Sequence, residues 1–197
     1  NLGLDAILLV WNHKNRYGSG AFASGGLSEK GKCFLRKAVD LGLGIDLSHA
    51  NKETFYDMIE IIKEEKQKKK TVVCYASHSN SFELCPHPRN LDYEQLKELA
   101  LLGGSIGVVL YPLFVGDDKI TSYIDHLNYM IEIFGVDHVM IATDNMDFYF
   151  LLDHKKELRN YFPYNEVKQE LEKVLKKYLK KEIVKKLMYD NAEAIYI

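Results

Sequence analysis

The feature that most limits how this chain of 197 residues can fold is a regular alternation of short apolar runs with amphipathic helical segments. The alternation repeats five times, and the runs have the length and composition of strands. The predicted strands cover residues 5–11, 43–48, 71–77, 105–111 and 138–143. Strands that alternate with helices favour a parallel sheet with right-handed crossovers over any all-α or all-β design.

Helix boundaries are marked by capping residues and glycines. The predicted helices cover 31–41, a segment after the capping residue Asn51, 93–102, and a segment from Thr121 to the glycine at 135. Residues 165–197 then predict two further amphipathic helices. Hydrophobic residues make up 47% of the chain, and no stretch has linker composition, so we expect one domain over residues 1–197.

Charge and cysteine content limit the partners and the compartment. The net charge of −2 gives no electrostatic reason to expect binding to nucleic acid or to an anionic membrane. The three cysteines, an odd number without framework spacing, favour free thiols in a reducing compartment. No apolar run approaches the ~20 residues of a membrane span. We therefore expect a cytoplasmic protein.

Two predicted strands run into the same dipeptide, Ser-His, at His49 and at His78. Strand alternation places His49 on the face of Ile45, and His78 on the face of Cys74. Because catalytic groups of parallel barrels lie at the carboxyl ends of the strands, we expect the two imidazoles to converge on one metal ion. A histidine held only by structural hydrogen bonds is the alternative for either residue alone.

One chemically capable side chain follows each predicted strand. In chain order these residues are Trp11, His49, His78, Tyr111 and Asp144. Two histidine nitrogens and a carboxylate suit Zn²⁺, which lowers the pKa of bound water toward ~7. Asp144 is the candidate for orienting or deprotonating that water.

Other residues are candidates for binding a substrate. Arg89 follows the His78 strand, and its guanidinium fork matches a carboxylate, although a surface salt bridge would also explain it. Tyr111 either donates a hydrogen bond to substrate or only packs at the rim. His13 lies in a loop at 12–26 that is longer than a simple connection requires.

Several motifs in register resemble the renal (membrane) dipeptidase family of the amidohydrolase superfamily. The matching segments are Trp11-Asn12-His13, Gly26-Leu27-Ser28-Glu29-Lys30-Gly31, Ile45-Asp46-Leu47-Ser48-His49, Ala76-Ser77-His78-Ser79-Asn80, His87-Pro88-Arg89-Asn90-Leu91 and Thr143-Asp144. Together they extend over nearly the whole chain.

The resemblance implies a (β/α)8 barrel and zinc-dependent cleavage of dipeptides or small amides. It implies that His49 and His78 are ligands of the second of two zinc ions and that Asp144 acts on the water or the leaving amine. It also implies that Arg89 binds the substrate carboxylate, with Tyr111 nearby, and that His13 corresponds to a substrate-binding histidine.

The chain departs from the family pattern in two ways. The His-x-Asp pair and the bridging glutamate of the family are missing, and the five strands correspond to strands four to eight of the barrel. The family's Asp-Phe-Asp-Gly reads here Asp144-Asn145-Met146-Asp147. We therefore expect an incomplete barrel with at most one zinc site, and the rest of the barrel from an upstream segment.

Three hypotheses follow. The first is a dipeptidase-family hydrolase, and we do not expect this chain alone to be active. The second is a non-catalytic half-barrel remnant that forms a homo-oligomer or binds a ligand. The third is a different metal-dependent amidohydrolase that uses the same pocket.

Overall fold

The computed structural model describes residues 3–144 and 164–196, and its centre is a five-stranded parallel sheet. The strand order is β1-β2-β3-β4-β5, so every strand pairs with its neighbours in sequence and every neighbouring pair is parallel. An order that never reverses is that of a barrel segment, since a doubly wound sheet reverses at a switch point. The predicted α/β fold with five parallel strands and flanking helices is confirmed.

The strands are short and the helices lie between them. The bounds are β1 Ala6–Leu8, α1 Glu29–Asp40, β2 Gly44–Asp46, α2 Lys52–Gln67, β3 Cys74–Ala76, α3 Tyr93–Leu101, β4 Ser105–Val109, α4 Pro112–Val115, α5 Ile120–Phe134, β5 Val139–Ala142, α6 Tyr164–Leu175, α7 Lys181–Lys185 and α8 Asn191–Tyr196. A 3-10 turn at Val136–His138 precedes β5, and a π turn at Lys186–Asp190 joins α7 to α8. Residues 145–147, which alter the aspartate motif, lie outside the described residues.

Side-chain caps fix where the main helices begin. Asn51 accepts a hydrogen bond from Thr54 N at 2.8 Å at the start of α2. Asp92 and Gln95 form a reciprocal capping box at the start of α3. These caps satisfy backbone N–H groups that a helix leaves without partners, so α2 and α3 start where the sequence predicts. The helix predicted from residue 31 begins two residues earlier, at Glu29, and the helix predicted from Thr121 begins at Ile120.

The hydrophobic core lies between the sheet and the helices. Ile45 and Ile106 in the sheet, Phe55 in α2 and Leu127 in α5 are 0% exposed. Crossover helices that cover a parallel sheet are expected to bury both the strands and the apolar faces of the helices. This packing fixes the carboxyl ends of the strands and therefore the positions of the residues that follow them.

The prediction that strand alternation directs His49 is wrong. Strand β2 ends at Asp46, and the chain turns at Ser48 and His49. The φ angle of His49 is 68°, in the left-handed region that non-glycine residues rarely adopt. The turn, and not the face shared with Ile45, sets the direction of the imidazole.

The long loop after β1 is held against the start of α2. Asn51 Nδ2 donates to Ala23 O at 2.7 Å and to Gly25 O at 3.0 Å. Gly20 forms an isolated antiparallel bridge with Ala50. A Cβ on Gly20 would lie 1.5 Å from Trp11 O, so only glycine permits this close approach. The loop is therefore a fixed part of the sheet end.

A buried carboxylate joins α1 to the end of α2. Glu65, whose side chain is 1% exposed, forms ion pairs with Arg36 at 2.8 Å, Lys68 at 2.8 Å and Lys70 at 2.5 Å. The hydrogen bonds from Lys68, Lys70 and Arg36 lower the pKa of Glu65 to about 2 against the opposing effect of burial. This cluster is a structural ion-pair network.

We expect the Glu65→Gln variant to have a lower Tm at pH 7. Because the folded pKa is about 2 and the ordinary value is 4.5, the charged carboxylate stabilises the fold above pH 4.5 and loses that effect as the pH falls to about 2. Since the cations reach solvent, we expect on the order of 1 kcal/mol, or about 2–4 °C. Calorimetry across this pH range measures the difference from wild type, which should shrink on acidification.

The matched control is Glu29→Gln, which removes an exposed i,i+3 pair with Lys32. That variant should leave the Tm nearly unchanged. A Glu65→Gln difference that stays constant from pH 7 to pH 2 would contradict the role given to the carboxylate.

Among the helices in residues 3–144 and 164–196, none combines the length and apolar character needed to cross a membrane.

Candidate active site

The side chains predicted from the sequence follow the five strands within two or three residues. Trp11 and His49 stand three residues after their strands, and His78, Tyr111 and Asp144 stand two residues after theirs. All strands are parallel, so these residues gather at one end of the sheet. The barrel end that carries catalytic groups in this class of fold is thus formed by the described residues.

The two histidines of the repeated Ser-His dipeptide meet at this end of the sheet. His49 Nε2 lies 2.8 Å from His78 Nε2, and the ring centroids are 4.9 Å apart. His49 is buried, and His78 is partly buried. The structure therefore brings together the two residues that the sequence predicts as metal ligands.

A chain of hydrogen bonds fixes the tautomer of His78. Asp46 Oδ2 accepts the hydroxyl proton of Ser77 at 2.5 Å, because a carboxylate only accepts. Ser77 Oγ is 2.6 Å from His78 Nδ1 and has already donated its proton. It must therefore accept from Nδ1–H, which leaves a lone pair on Nε2.

The tautomer of His49 is fixed in the same way by Asn12. His49 Nδ1 lies 2.8 Å from Asn12 Oδ1, and an amide oxygen accepts, so the proton is on Nδ1. Both Nε2 atoms then direct lone pairs at each other across 2.8 Å. Facing lone pairs repel unless both nitrogens bind the same cation, so this donor set fits a shared proton or a metal ion.

The surroundings disfavour a second proton, and hence a positive charge, on either ring. Burial, the Arg89 guanidinium and His78 together lower the pKa of His49 to about 3. Burial also lowers the pKa of His78, with Asp144 and Asp46 opposing and Arg89 adding to the shift. Neutral imidazoles with Nδ1–H donated to a partner are the usual state of metal-ligating histidines. The pair therefore suits a metal ion.

The described residues supply two ligands and not a full set. Among residues 3–144 and 164–196, no group of three or more His, Cys, Asp or Glu side chains is placed to hold a metal ion. A four-coordinate zinc site needs further ligands. Water or residues from another part of the protein would have to supply them.

Arg89 is a buried cation beside the histidine pair. It is 4% exposed, so the alternative explanation of Arg89 as a member of a surface salt bridge is wrong. Arg89 Nη2 donates to His78 O at 3.3 Å. Within the described part of the chain, no carboxylate lies within 4.0 Å of the guanidinium.

Electrostatics keep this guanidinium charged. Burial lowers the pKa of Arg89 to about 10, while Asp144 and Asp46 act in the opposite direction. The group is therefore protonated at neutral pH. A buried cation without an adjacent carboxylate is costly unless an anion binds to it, so the site favours an anionic ligand.

A row of five rings extends from Arg89 along the same end of the sheet. We call it the aromatic row, and its members are His13, Phe22, His87, Phe114 and Tyr111. The ring centroids are 6.4 Å apart for His13–Phe22, 6.1 Å for Phe22–His87, 4.7 Å for His87–Phe114 and 4.8 Å for Phe114–Tyr111. The guanidinium carbon of Arg89 lies 5.4 Å from the Phe114 centroid.

The three predicted substrate-binding residues differ in their places on this row. Arg89 and Tyr111 both contact Phe114. His13 is exposed and reaches the row at its far end through Phe22. Tyr111 is partly buried, and its hydrogen bond to substrate stays a prediction.

Asp144 completes the cluster from the end of β5. It is exposed, and its φ angle of 49° lies in the left-handed region. Burial lowers the pKa of both His78 and Arg89, and the charge of Asp144 acts against that lowering. Its charge therefore acts on both groups.

Four residues contribute to the site although the sequence did not predict it. They are Asp46, Ser77, Phe114 and Asn12, the last as the hydrogen-bond partner of His49. Asp46 offered the clearest signal, because a charged residue within a buried strand needs hydrogen-bond partners. Its Oδ1 accepts from Ser48 N and from Ser77 N, both at 3.0 Å. Phe114 gave no signal, since one aromatic residue in a turn is common.

Comparison with known proteins identifies a family of metal-dependent peptidases. A family model described as membrane dipeptidase, peptidase family M19, matches residues 1–195. An uncharacterized protein encoded in the pqqA 5′ region of Klebsiella pneumoniae is 32% identical over 157 residues, 72% of this chain and 55% of that protein. Dipeptidase aclJ of Aspergillus oryzae is 28% identical over 152 residues, 75% of this chain and 33% of that protein.

Solved structures show the same fold. The crystal structure of a metallo peptidase from Rhodobacter sphaeroides, liganded with a phosphinate mimic of the dipeptide L-Ala-D-Ala, matches with a TM-score of 0.76 at 20% identity. The match covers 95% of this chain and 53% of that one. The chain thus spans about half of the length of this structure, which agrees with an incomplete barrel.

Proposed function

The chain belongs to the membrane dipeptidase family, peptidase family M19, and from this membership we propose that it forms part of a zinc-dependent hydrolase of dipeptides or related small amides. The observation that carries the proposal is the approach of His49 Nε2 to His78 Nε2 at 2.8 Å, with the Nδ1 atom of each ring held by a partner. A metal ion bound by both nitrogens would remove the repulsion between their lone pairs. The donors are borderline-soft nitrogens, which suit zinc.

His49 and His78 hold the zinc ion in this proposal, each oriented through its Nδ1–H. When bound, zinc supplies Lewis-acid activation of water and of the scissile carbonyl. Asp144 orients the attacking water, accepts its proton and passes a proton to the leaving amine. The Arg89 guanidinium binds the terminal carboxylate of the substrate and so fixes the position of the amide bond.

Two further residues complete the binding site. Tyr111 stands beside Phe114 and borders the bound carboxylate. His13 contacts the outer part of the substrate from the far end of the aromatic row. The substrate is a dipeptide or a small amide with a free carboxylate, and an amidohydrolase acting on a different amide in the same pocket is the related possibility.

The proposal gives this chain one zinc site at most. A second zinc ion requires ligands that the matched strands do not provide, so hydrolysis needs the other strands of the barrel. Residues 1–197 then form one partial barrel domain. A cytoplasmic location, inferred from three free cysteines, belongs to the same proposal.

Equilibrium dialysis against zinc tests the metal site. We expect the chain to bind one equivalent and the His49→Ala/His78→Ala double variant to lose that binding, because both lone pairs are removed. His138→Ala is the matched control, since His138 lies at the opposite end of the sheet, just before β5. Absence of zinc binding, or binding that survives the double substitution, would contradict the proposal.

The sheet edges favour a second candidate function. Within the described residues, β1 pairs with β2 and β5 pairs with β4, and each has one side without a strand partner. Open parallel edges invite pairing with another chain, so a non-catalytic half-barrel that forms a homo-oligomer is the alternative. Sedimentation velocity separates the two: a stable oligomer that binds no zinc would favour the second.

A further inference from the structure

We propose that the aromatic row is a binding subsite for the side chain of the carboxylate-bearing residue, and that it selects aromatic over small side chains. The inference rests on the proposed function, because it extends the role of Arg89 in binding a substrate carboxylate. It names the substrate class as dipeptides or amides whose carboxyl-terminal residue is aromatic.

The position of Phe114 links the carboxylate to the row. Its ring lies under the Arg89 guanidinium at 5.4 Å and contacts His87 at 4.7 Å. A carboxylate bound to Arg89 brings the attached side chain within a few ångströms of these rings, because only the Cα separates the two groups. The side chain therefore meets an aromatic surface and not solvent.

Hydrogen bonds hold the row in place, so the surface exists before a ligand binds. His87 Nδ1 accepts from Arg89 N at 3.1 Å, which leaves Nε2–H as its donor and fixes the ring. Asn90 Nδ2 donates to Phe114 O at 2.8 Å and to Cys85 O at 2.9 Å. A preformed surface needs little ordering on binding and gains affinity for that reason.

The exposure of the row indicates a ligand-binding role. Phe22 is 49% exposed although it lies in a loop that several hydrogen bonds fix to the sheet end. The Phe22 and His87 rings form an edge-to-face pair with an interplanar angle of 90°. Offset and edge-to-face contacts with a bound aromatic group are favourable at the spacings seen in the row.

The test uses the metal-free chain, in which no hydrolysis is expected, and two ligands that each carry a carboxylate and an amide. N-acetylphenylalanine and N-acetylalanine are titrated separately and followed by amide shifts in NMR. We expect N-acetylphenylalanine to bind about tenfold more tightly, since it buries an additional ring against the row. The proposal predicts that Phe114→Leu and Phe22→Ala both reduce this preference.

Phe82→Ala is the matched control, because Phe82 is 42% exposed and lies outside the aromatic row. It should leave the preference unchanged. Equal affinity for the two ligands, no binding by either, or a preference that both Phe114→Leu and Phe22→Ala retain would overturn the inference. Because no metal is present, this result is separate from the zinc dialysis, which alone decides the proposed metal site.

Discussion

Replacing Asp46 with asparagine is expected to lower the zinc affinity of the chain by about 10- to 100-fold, the usual effect of losing a hydrogen-bond partner of a metal ligand. Asp46 does not face the metal position itself. It acts through Ser77, whose hydroxyl proton it accepts at 2.5 Å. The expected loss comes from a change of tautomer in His78.

The reason follows from the two oxygens of Asp46. Oδ1 accepts two backbone N–H groups, so the asparagine oxygen must occupy that position. The amide nitrogen then replaces Oδ2 and donates to Ser77 Oγ. The hydroxyl proton turns to His78 Nδ1, and the imidazole proton moves to Nε2. His78 would then donate to His49 across the 2.8 Å gap and compete with the metal.

Two measurements check this expectation. Competition with a chromophoric chelator gives the zinc affinity, and ¹⁵N NMR of the imidazoles in the metal-free chain gives the tautomer. The matched control is Asp92→Asn, which retains a good capping residue at the start of α3 and should leave both unchanged. A variant that keeps the proton on Nδ1 and binds zinc as wild type does would refute the relay.

Replacing Arg89 with methionine should reduce the affinity for N-acetylphenylalanine by about 100-fold or more. Each hydrogen bond to a charged group contributes about 1.5–3 kcal/mol, and the fork can supply two. The same substitution should leave the Tm equal or higher, because it removes a 4% exposed cation with no carboxylate within 4.0 Å among the described residues. Arg89→Lys keeps the charge without the fork, and we expect intermediate binding.

Arg36→Met is the control, and we expect the opposite effects on Tm and on ligand affinity. Arg36 forms ion pairs with Glu64 and Glu65 far from the site, so its loss should lower the Tm and leave ligand binding unchanged. NMR titration and calorimetry on the three variants give both quantities. If Arg89→Met lost stability and kept its affinity, Arg89 would be a structural residue and not a binding one.

The parallel sheet and most helix starts were predictable from the sequence. Apolar runs alternate with capped helices, and the caps at Asn51 and Asp92 act as predicted. The ends of strands were less predictable, because β2 stops at Asp46 where a carboxylate captures the backbone of the following turn. That interaction depends on a side chain and not on strand propensity, so hydrophobic patterning does not detect it.

The residues of the candidate site also fall into a group that the sequence predicted and a group that it did not. His49, His78, Arg89 and Asp144 were found because each follows a predicted strand or belongs to a motif that resembles the family. Asn12 and Phe114 act through contacts with residues 37 and 25 positions away in sequence, and such distances are set by the folded sheet. Long-range pairings of this kind require the three-dimensional arrangement.

Asp46 Oδ1 accepts two backbone hydrogen bonds, and this has a consequence for assembling the site from separate polypeptides. One oxygen anchors the backbone at Ser48 and at Ser77, which directly precede the two histidines. The spacing of His49 and His78 is therefore set inside this chain and does not wait for the other strands of the barrel. Under the proposed function, a separately produced polypeptide carrying those strands would meet a preassembled half-site, so we expect complementation in trans.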